Sequence, residues 1–192
     1  MLLNVESSAM QPVKQLAHTL ETLAVPGEGL FTLPDLRSAL PNLGPAAFRV
    51  LVSRAEKQGL LQRVCRGLYR YPRAQGMEPG LLLYRAAARL RADTFNYLSL
   101  ESALSDAGVI SQIPVNWITL MSAGRSQLID CGRFGHIEFV HTQRRPETLM
   151  DELTYDPRCQ LWRASLRLAL KDMRLTRRNT DLIDENAIHE SV

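Results

Sequence analysis

Residues 45–71 read PAAFRVLVSRAEKQGLLQRVCRGLYRY. Pro45 suits the first turn of a helix, where a missing N–H leaves no intrahelical bond unmade. From there Phe48, Leu51, Val52 and Ala55 recur at helical spacing as one apolar stripe, and Gly59 stands where a helix commonly ends. Residues 60–64 and 68–71 are short strand-like runs joined by Cys65, Arg66 and Gly67, and Pro72 prevents further pairing. This stretch predicts a helix over 45–58 followed by a β-hairpin.

Working outward, Val13, Leu16, Ala17, Leu20 and Leu23 predict a first helix over 12–23, closed by a break at Pro26, Gly27, Glu28 and Gly29. Phe31 and Thr32 read as a short extended piece. Pro34, with Leu33, Leu36 and Leu40 as the apolar side, predicts a second helix that stops at Pro41 and Asn42. Helix, short strand, helix, turn, helix and hairpin in this order is the plan of a winged helix-turn-helix. A generic three-helix core with a hairpin that binds only protein gives the same pattern.

In a helix-turn-helix the second helix of the motif lies in the major groove and presents its outward residues to base edges. With the apolar stripe inward, helix 45–58 shows Ala46, Arg49, Val50, Ser53, Arg54 and Lys57 outside. Arg49 is the candidate for reading a base, because a guanidinium can bind guanine through two parallel hydrogen bonds. Arg54 and Lys57 sit later, where contacts go to phosphate. The hairpin adds Arg63, Arg66 and Arg70, and Gly67 beside Arg66 lets the tip approach a strand closely. Those arginines can equally be a solvated hairpin surface.

Charge is uneven along the 192 residues. The net charge is +3, but residues 44–76 hold seven cations against Glu56 alone, and residues 157–178 hold seven against Asp172 alone. The stretch between them is net acidic, so a polyanion is expected to meet the two basic blocks.

Gly76, Pro79 and Gly80 mark a linker, which places a DNA-binding domain at 1–76 and a second domain at 77–192. In the second, residues 81–91 read as an amphipathic helix. Ser99 reads as the N-cap of a helix through Leu100, Ala103, Leu104 and Ala107 that Gly108 ends. Residues 115–121 and 135–141 read as strands, with turns at Ser122, Ala123 and Gly124 and at Cys131, Gly132 and Arg133. Leu161, Trp162, Leu166, Ala169, Leu170 and Met173 share one face of a helix expected near 161–178, and Arg163, Arg167, Lys171, Arg174 and Arg178 line another. That basic stripe can keep the helix soluble, grip DNA backbone, or meet an acidic partner. Residues 179–192 read as a loosely held polar tail. The fold class expected is α+β, a winged helix-turn-helix followed by a mixed α/β C-terminal domain.

Other function classes leave little trace. No glycine loop of the phosphate-binding or dinucleotide kind is present. His136 and His141, five apart in a strand, point to opposite faces, so no metal site and no cofactor is expected. Asp151, Glu152 and Asp156 read as a solvated acidic run, and no catalytic residue is assigned. Cys65, Cys131 and Cys159 read as buried thiols. The apolar runs are short and broken by arginines and no secretory leader stands at residue 1, so the expectation is a cytoplasmic protein with no membrane partner.

The chain resembles the AbiEi family, the antitoxins of AbiE-type or type IV toxin–antitoxin systems, over roughly residues 10–175. The carriers are Phe31, Thr32, Leu33, Pro34, Asp35 and Leu36 before the motif; residues 59–64 with Arg66, Gly67, Leu68 and Tyr69 for the wing; and Tyr97, Leu98, Ser99, Leu100, Glu101, Ser102, Ala103 and Leu104 opening the second domain. The resemblance implies a bacterial transcriptional autorepressor that binds inverted-repeat operator DNA through its first domain. It also implies that the second domain counters a nucleotidyltransferase-like toxin, as in phage defence. A second reading is a winged-helix regulator whose C-terminal domain senses a ligand or dimerises; the neighbouring gene separates the two.

Overall fold

The computed structural model describes residues 11–24, 28–76, 78–110, 116–181 and 183. The break expected at Pro26 and Gly27, the strand start at Val115 and most of the tail lie outside the described residues. The chain divides into two compact units, Met1–Met77 and Glu78–Val192.

Unit 1 runs α1 (Pro12–Leu23), β1 (Leu30–Thr32), α2 (Leu33–Ser38), α3 (Pro45–Lys57), β2 (Gln62–Cys65) and β3 (Leu68–Arg70). The three strands form an antiparallel sheet in the order β1, β3, β2, which with three helices is the winged-helix arrangement. Thr32 starts α2 with a capping box: its hydroxyl accepts from the Asp35 N–H while the Asp35 carboxylate accepts from the Thr32 N–H at 2.7 Å. Leu16 and Leu20 of α1 join Leu36 of α2, Phe48, Leu51, Val52 and Ala55 of α3, and Tyr69 of β3 in one core. Gly67 takes φ +83° at the hairpin tip, a conformation that favours glycine, and its carbonyl accepts from the Leu33 N–H at 3.1 Å. The tip is therefore tied to the start of α2.

Unit 2 runs α4 (Leu82–Leu90), β4 (Asn96–Leu98), α5 (Leu100–Asp106), β5 (Trp117–Ser122), β6 (Gln127–Asp130), β7 (His136–His141), β8 (Leu153–Asp156), β9 (Leu161–Ala164) and α6 (Leu166–Leu175). Its six strands lie in the order β6, β7, β5, β4, β9, β8; the β5–β7 and β4–β9 pairs are parallel and the others antiparallel. Helices α5 and α6 pack together over Tyr97, Met121, Leu168 and Met173, and α4 lies against β7 and β9. Only glycine fits at position 135, where φ is +115° and a Cβ would stand 1.8 Å from the Asn116 carbonyl oxygen.

Two sequence expectations are corrected in unit 2. The helix expected near 161–178 is split: residues 161–164 form β9, and α6 begins only after Ser165, whose hydroxyl accepts from the Leu168 N–H at 3.1 Å. Four residues fit a strand or a helix equally well by period, and the ladder with β4 decides for the strand. Ser99 does precede α5, but its side chain does not cap it. The hydroxyl instead donates to Asp172 at 2.7 Å, a stronger partner than a backbone amide because it carries charge.

A candidate nucleic-acid interface on unit 1

Helix α3 separates its residues by environment. Phe48, Leu51, Val52 and Ala55 are buried, while Ala46, Arg49, Val50, Ser53, Arg54 and Lys57 are all exposed. Ala46, Arg49, Val50 and Ser53 follow one another at three- and four-residue steps, so they form one continuous strip. Val50 is 51% exposed on this strip. Ala47 is exposed beside this strip and was not among the residues singled out from the sequence.

The hairpin supplies the second edge. Arg63 and Arg66 are exposed, and Gly67 and Arg70 are half-buried. Arg63 lies at a β-bulge opposite Tyr69 and its Nε donates to the Cys65 carbonyl at 3.4 Å. Among the described residues, Arg49, Arg54, Lys57 and Arg66 have no carboxylate within ion-pair distance. Beneath α3, the Arg37 guanidinium of α2 lies 5.3 Å from the centre of the Phe48 ring, fixing the ring that anchors the strip.

The second basic block behaves differently, and the expected continuous arginine surface is not formed. Arg163 is on β9, bound to Asp106 and to Asp156 at 2.8 Å, with its guanidinium 5.5 Å from the centre of the Tyr84 ring. Arg158 pairs with Asp156 at 3.2 Å. Arg167 and Lys171 both reach Glu152, and Arg178 reaches Glu101 at 3.1 Å and Glu138 at 2.5 Å. Of the five stripe residues, Arg174 alone has no ion pair among the described residues. Among the described residues the fold thus pairs five of the seven cations of residues 157–178: Arg158, Arg163, Arg167, Lys171 and Arg178.

The acidic run at Asp151, Glu152 and Asp156 is corrected with it. Asp151 is exposed, but Asp156 is buried and the Glu152 side chain is 12% exposed. Burial pushes the Asp156 carboxyl up, and the bonds from Arg158 and Arg163 outweigh it and hold the carboxyl well below the usual range. The Ser165 hydroxyl, with Arg167 and Lys171, holds Glu152 down against burial. A folded pKa below the unfolded one means that the unfolded chain binds more protons. Stability from these two groups is therefore full above their ordinary values of 3.8 and 4.5 and is lost as pH falls through the lowered ones. Asp172, pushed up by burial, acts with the opposite sign. Because Trp117 and Trp162 are the two tryptophans and both lie in unit 2, urea titrations read by their fluorescence isolate this unit. Between pH 5 and pH 3 the loss of urea midpoint is expected to be smaller in Asp156→Asn than in the wild type, whatever Asp172 contributes to both; a pH dependence unchanged by Asp156→Asn would contradict the lowered Asp156 carboxyl.

His136 stacks on Trp117 with ring centres 4.8 Å apart, and the His141 ring nitrogen Nδ1 lies 2.9 Å from the Gly124 carbonyl oxygen. Among the described residues no group of three His, Cys, Asp or Glu side chains is placed to hold a metal ion, and no helix is long and apolar enough to cross a membrane. The three cysteines are buried and unbridged.

Residues 19–72, from the last turn of α1 through the end of the hairpin, match the family described as "Transcriptional regulator, AbiEi antitoxin". The match covers 54 of the 192 residues, and the likeness to that family is one of this segment. No curated protein matches the chain. Among solved structures, the RV2827C protein from Mycobacterium tuberculosis is similar with a TM-score of 0.55 at 16% identity, over 88% of this chain and 64% of that one. This chain thus spans just under two thirds of that protein's length, and the likeness is one of fold. The exposed strip of α3 and the hairpin both fall inside the segment that carries the AbiEi match.

Proposed function

We propose that the chain is a cytoplasmic transcriptional autorepressor and antitoxin of a bacterial toxin–antitoxin operon. Unit 1 binds inverted-repeat operator DNA, with α3 in the major groove and the hairpin against the backbone. Unit 2 counters a nucleotidyltransferase-like toxin. The observation that carries the DNA half is the exposed strip of Ala46, Arg49, Val50 and Ser53, flanked by cations that no carboxylate of the described residues neutralises. Such a surface pairs small and apolar groups that allow close approach with guanidiniums that suit guanine and phosphate. The antitoxin half is supported by the description of the family that residues 19–72 match.

Arg49 and Arg66 divide the work. Arg49, on the reading strip, contacts a base, so Arg49→Ala is expected to cost about 1–3 kcal/mol on the operator and much less on random DNA. Arg66, at the wing tip, contacts phosphate. Arg66→Ala is therefore expected to weaken operator and random DNA alike and to flatten the slope of log affinity against log salt by about one unit. Binding isotherms on the fragment upstream of the gene and on random DNA, at several salt concentrations, test both. An operator affinity and specificity untouched by Arg49→Ala would remove α3 as the reading helix.

A further inference from the structure

A cleft of about 290 Å³ opens in unit 2 where the chain enters β4 and β9. Phe95, Tyr155 and Trp162 give it an aromatic wall. Tyr155 and Trp162 are 47% and 36% exposed and meet edge to face with ring centres 5.3 Å apart. Arg89 and Arg91 are in the lining and no carboxylate is. The ligand that suits such a cleft is small, flat and aromatic, and it carries no positive charge.

Two amides of the lining have bonding capacity that the fold leaves unused. Asn96 is 7% exposed, and its Nδ2 donates to the Arg91 carbonyl at 3.0 Å and to the Thr94 carbonyl at 2.5 Å. Two carbonyl acceptors fix which end of the amide is nitrogen, because an oxygen turned toward them would be repelled. The Oδ1 is therefore an acceptor, and it is buried with no partner among the described residues. A buried carbonyl left unpaired bears a desolvation cost, which a donor brought to it removes.

Gln160 stands out for a different reason. Its φ is +58°, the left-handed region where glycine is at ease and a residue with a side chain is strained. Its N–H closes the turn on the Asp156 carbonyl at 2.9 Å, whereas its side chain is exposed and makes no bond among the described residues. The turn thus has no use for the glutamine amide, and Gln160 lines the cleft. The ladder that sets Tyr97 beside Trp162 brings Asn96 and Gln160 to neighbouring positions.

We propose that this cleft binds the base of an adenine mononucleotide. The ring lies against Tyr155 and Trp162, and its exocyclic amine donates one hydrogen to the Asn96 Oδ1. The Gln160 amide meets the N6 and N7 edge, the pairing that glutamine makes with adenine. The phosphate meets no carboxylate in the lining. This does not depend on what unit 1 binds.

The test uses the full chain with adenosine monophosphate as the probe. Amide NMR signals of Phe95, Asn96, Gln160 and Trp162 are expected to shift on titration, the Asn96 side-chain amide with them. The monophosphate of purine riboside, which lacks the exocyclic amine, is expected to bind at least about tenfold more weakly. Gln160→Gly relieves the strained turn, so its urea midpoint should be no lower than that of the wild type while its affinity for adenosine monophosphate falls about tenfold. A side chain that served only the fold would change stability and leave binding alone. The inference is overturned if millimolar adenosine monophosphate leaves the Asn96 and Gln160 signals unmoved, if the purine riboside compound binds equally well, or if Gln160→Gly binds as the wild type does. It is overturned too if a single-stranded deoxyadenosine hexamer binds where the mononucleotide does not, which would make the ligand a strand.

Discussion

Asp172→Ala is expected to destabilise unit 2 by about 3–5 kcal/mol, the range for removing one partner from a buried ion pair. Asp172 lies on α6 and is fully buried. Its carboxylate accepts from the Tyr97 hydroxyl of β4 at 3.0 Å, from the Ser99 hydroxyl before α5 at 2.7 Å, and from Arg144, after β7, at 2.6 Å. One side chain thus ties α6 to the centre of the sheet and to the start of α5. Alanine leaves two buried hydroxyls and a guanidinium that is 27% exposed without their acceptor, each group bearing its own desolvation cost. Burial, and the carboxylate beside it, also push the Tyr97 phenol up.

Domains commonly have about 5–15 kcal/mol in hand, so a loss of this size leaves unit 2 close to unfolding at 25 °C. Urea denaturation followed through Trp117 and Trp162 measures it, with Asp172→Asn as the companion variant. Asparagine keeps the volume and one acceptor oxygen and should fall between the wild type and alanine. A shift below 1 kcal/mol for Asp172→Ala would mean that the three donors find other partners, and the cluster would lose the role given to it here.

Arg163→Ala is expected to cost unit 2 about 2–3 kcal/mol and to leave DNA binding unchanged. The sequence offers Arg163 as one of a row of cations for a polyanion. In the fold its Nε donates to Asp156 at 2.8 Å, its remaining nitrogens donate to Asp106 and, at 3.2 Å, to the Cys159 sulfur, and its side chain is only 24% exposed. The cost is set below that of a fully buried pair because solvent still reaches part of the group. At a temperature where both proteins are folded, the slope of log affinity against log salt should be the same for the variant and the wild type, whereas Arg66→Ala flattens it. A flattened slope for Arg163→Ala would return this arginine to the nucleic-acid interface.

The sequence by itself determined most of unit 1. Pro45, the stripe of Phe48, Leu51, Val52 and Ala55, and Gly59 bound α3 to within a residue of where it lies, and Gly67 marks the hairpin tip. These signals are local: a helix start without an N–H, a period of 3.6 and a left-handed turn each depend on neighbours a few residues away. The exposed strip followed as well, because burying one side of an amphipathic helix leaves the other outside.

Tertiary structure decided unit 2. Strands β4, β6, β8 and β9 are three or four residues long, too short for a period to declare itself, and β4 and β9 pair in parallel across more than sixty positions of chain. Charge shows the same division. Arg49 and Arg163 are indistinguishable in a count of cations, yet one stands exposed beside Ser53 and the other between two aspartates fifty residues apart. A charge acts over the few ångströms that separate groups in space, and the sequence does not state those distances.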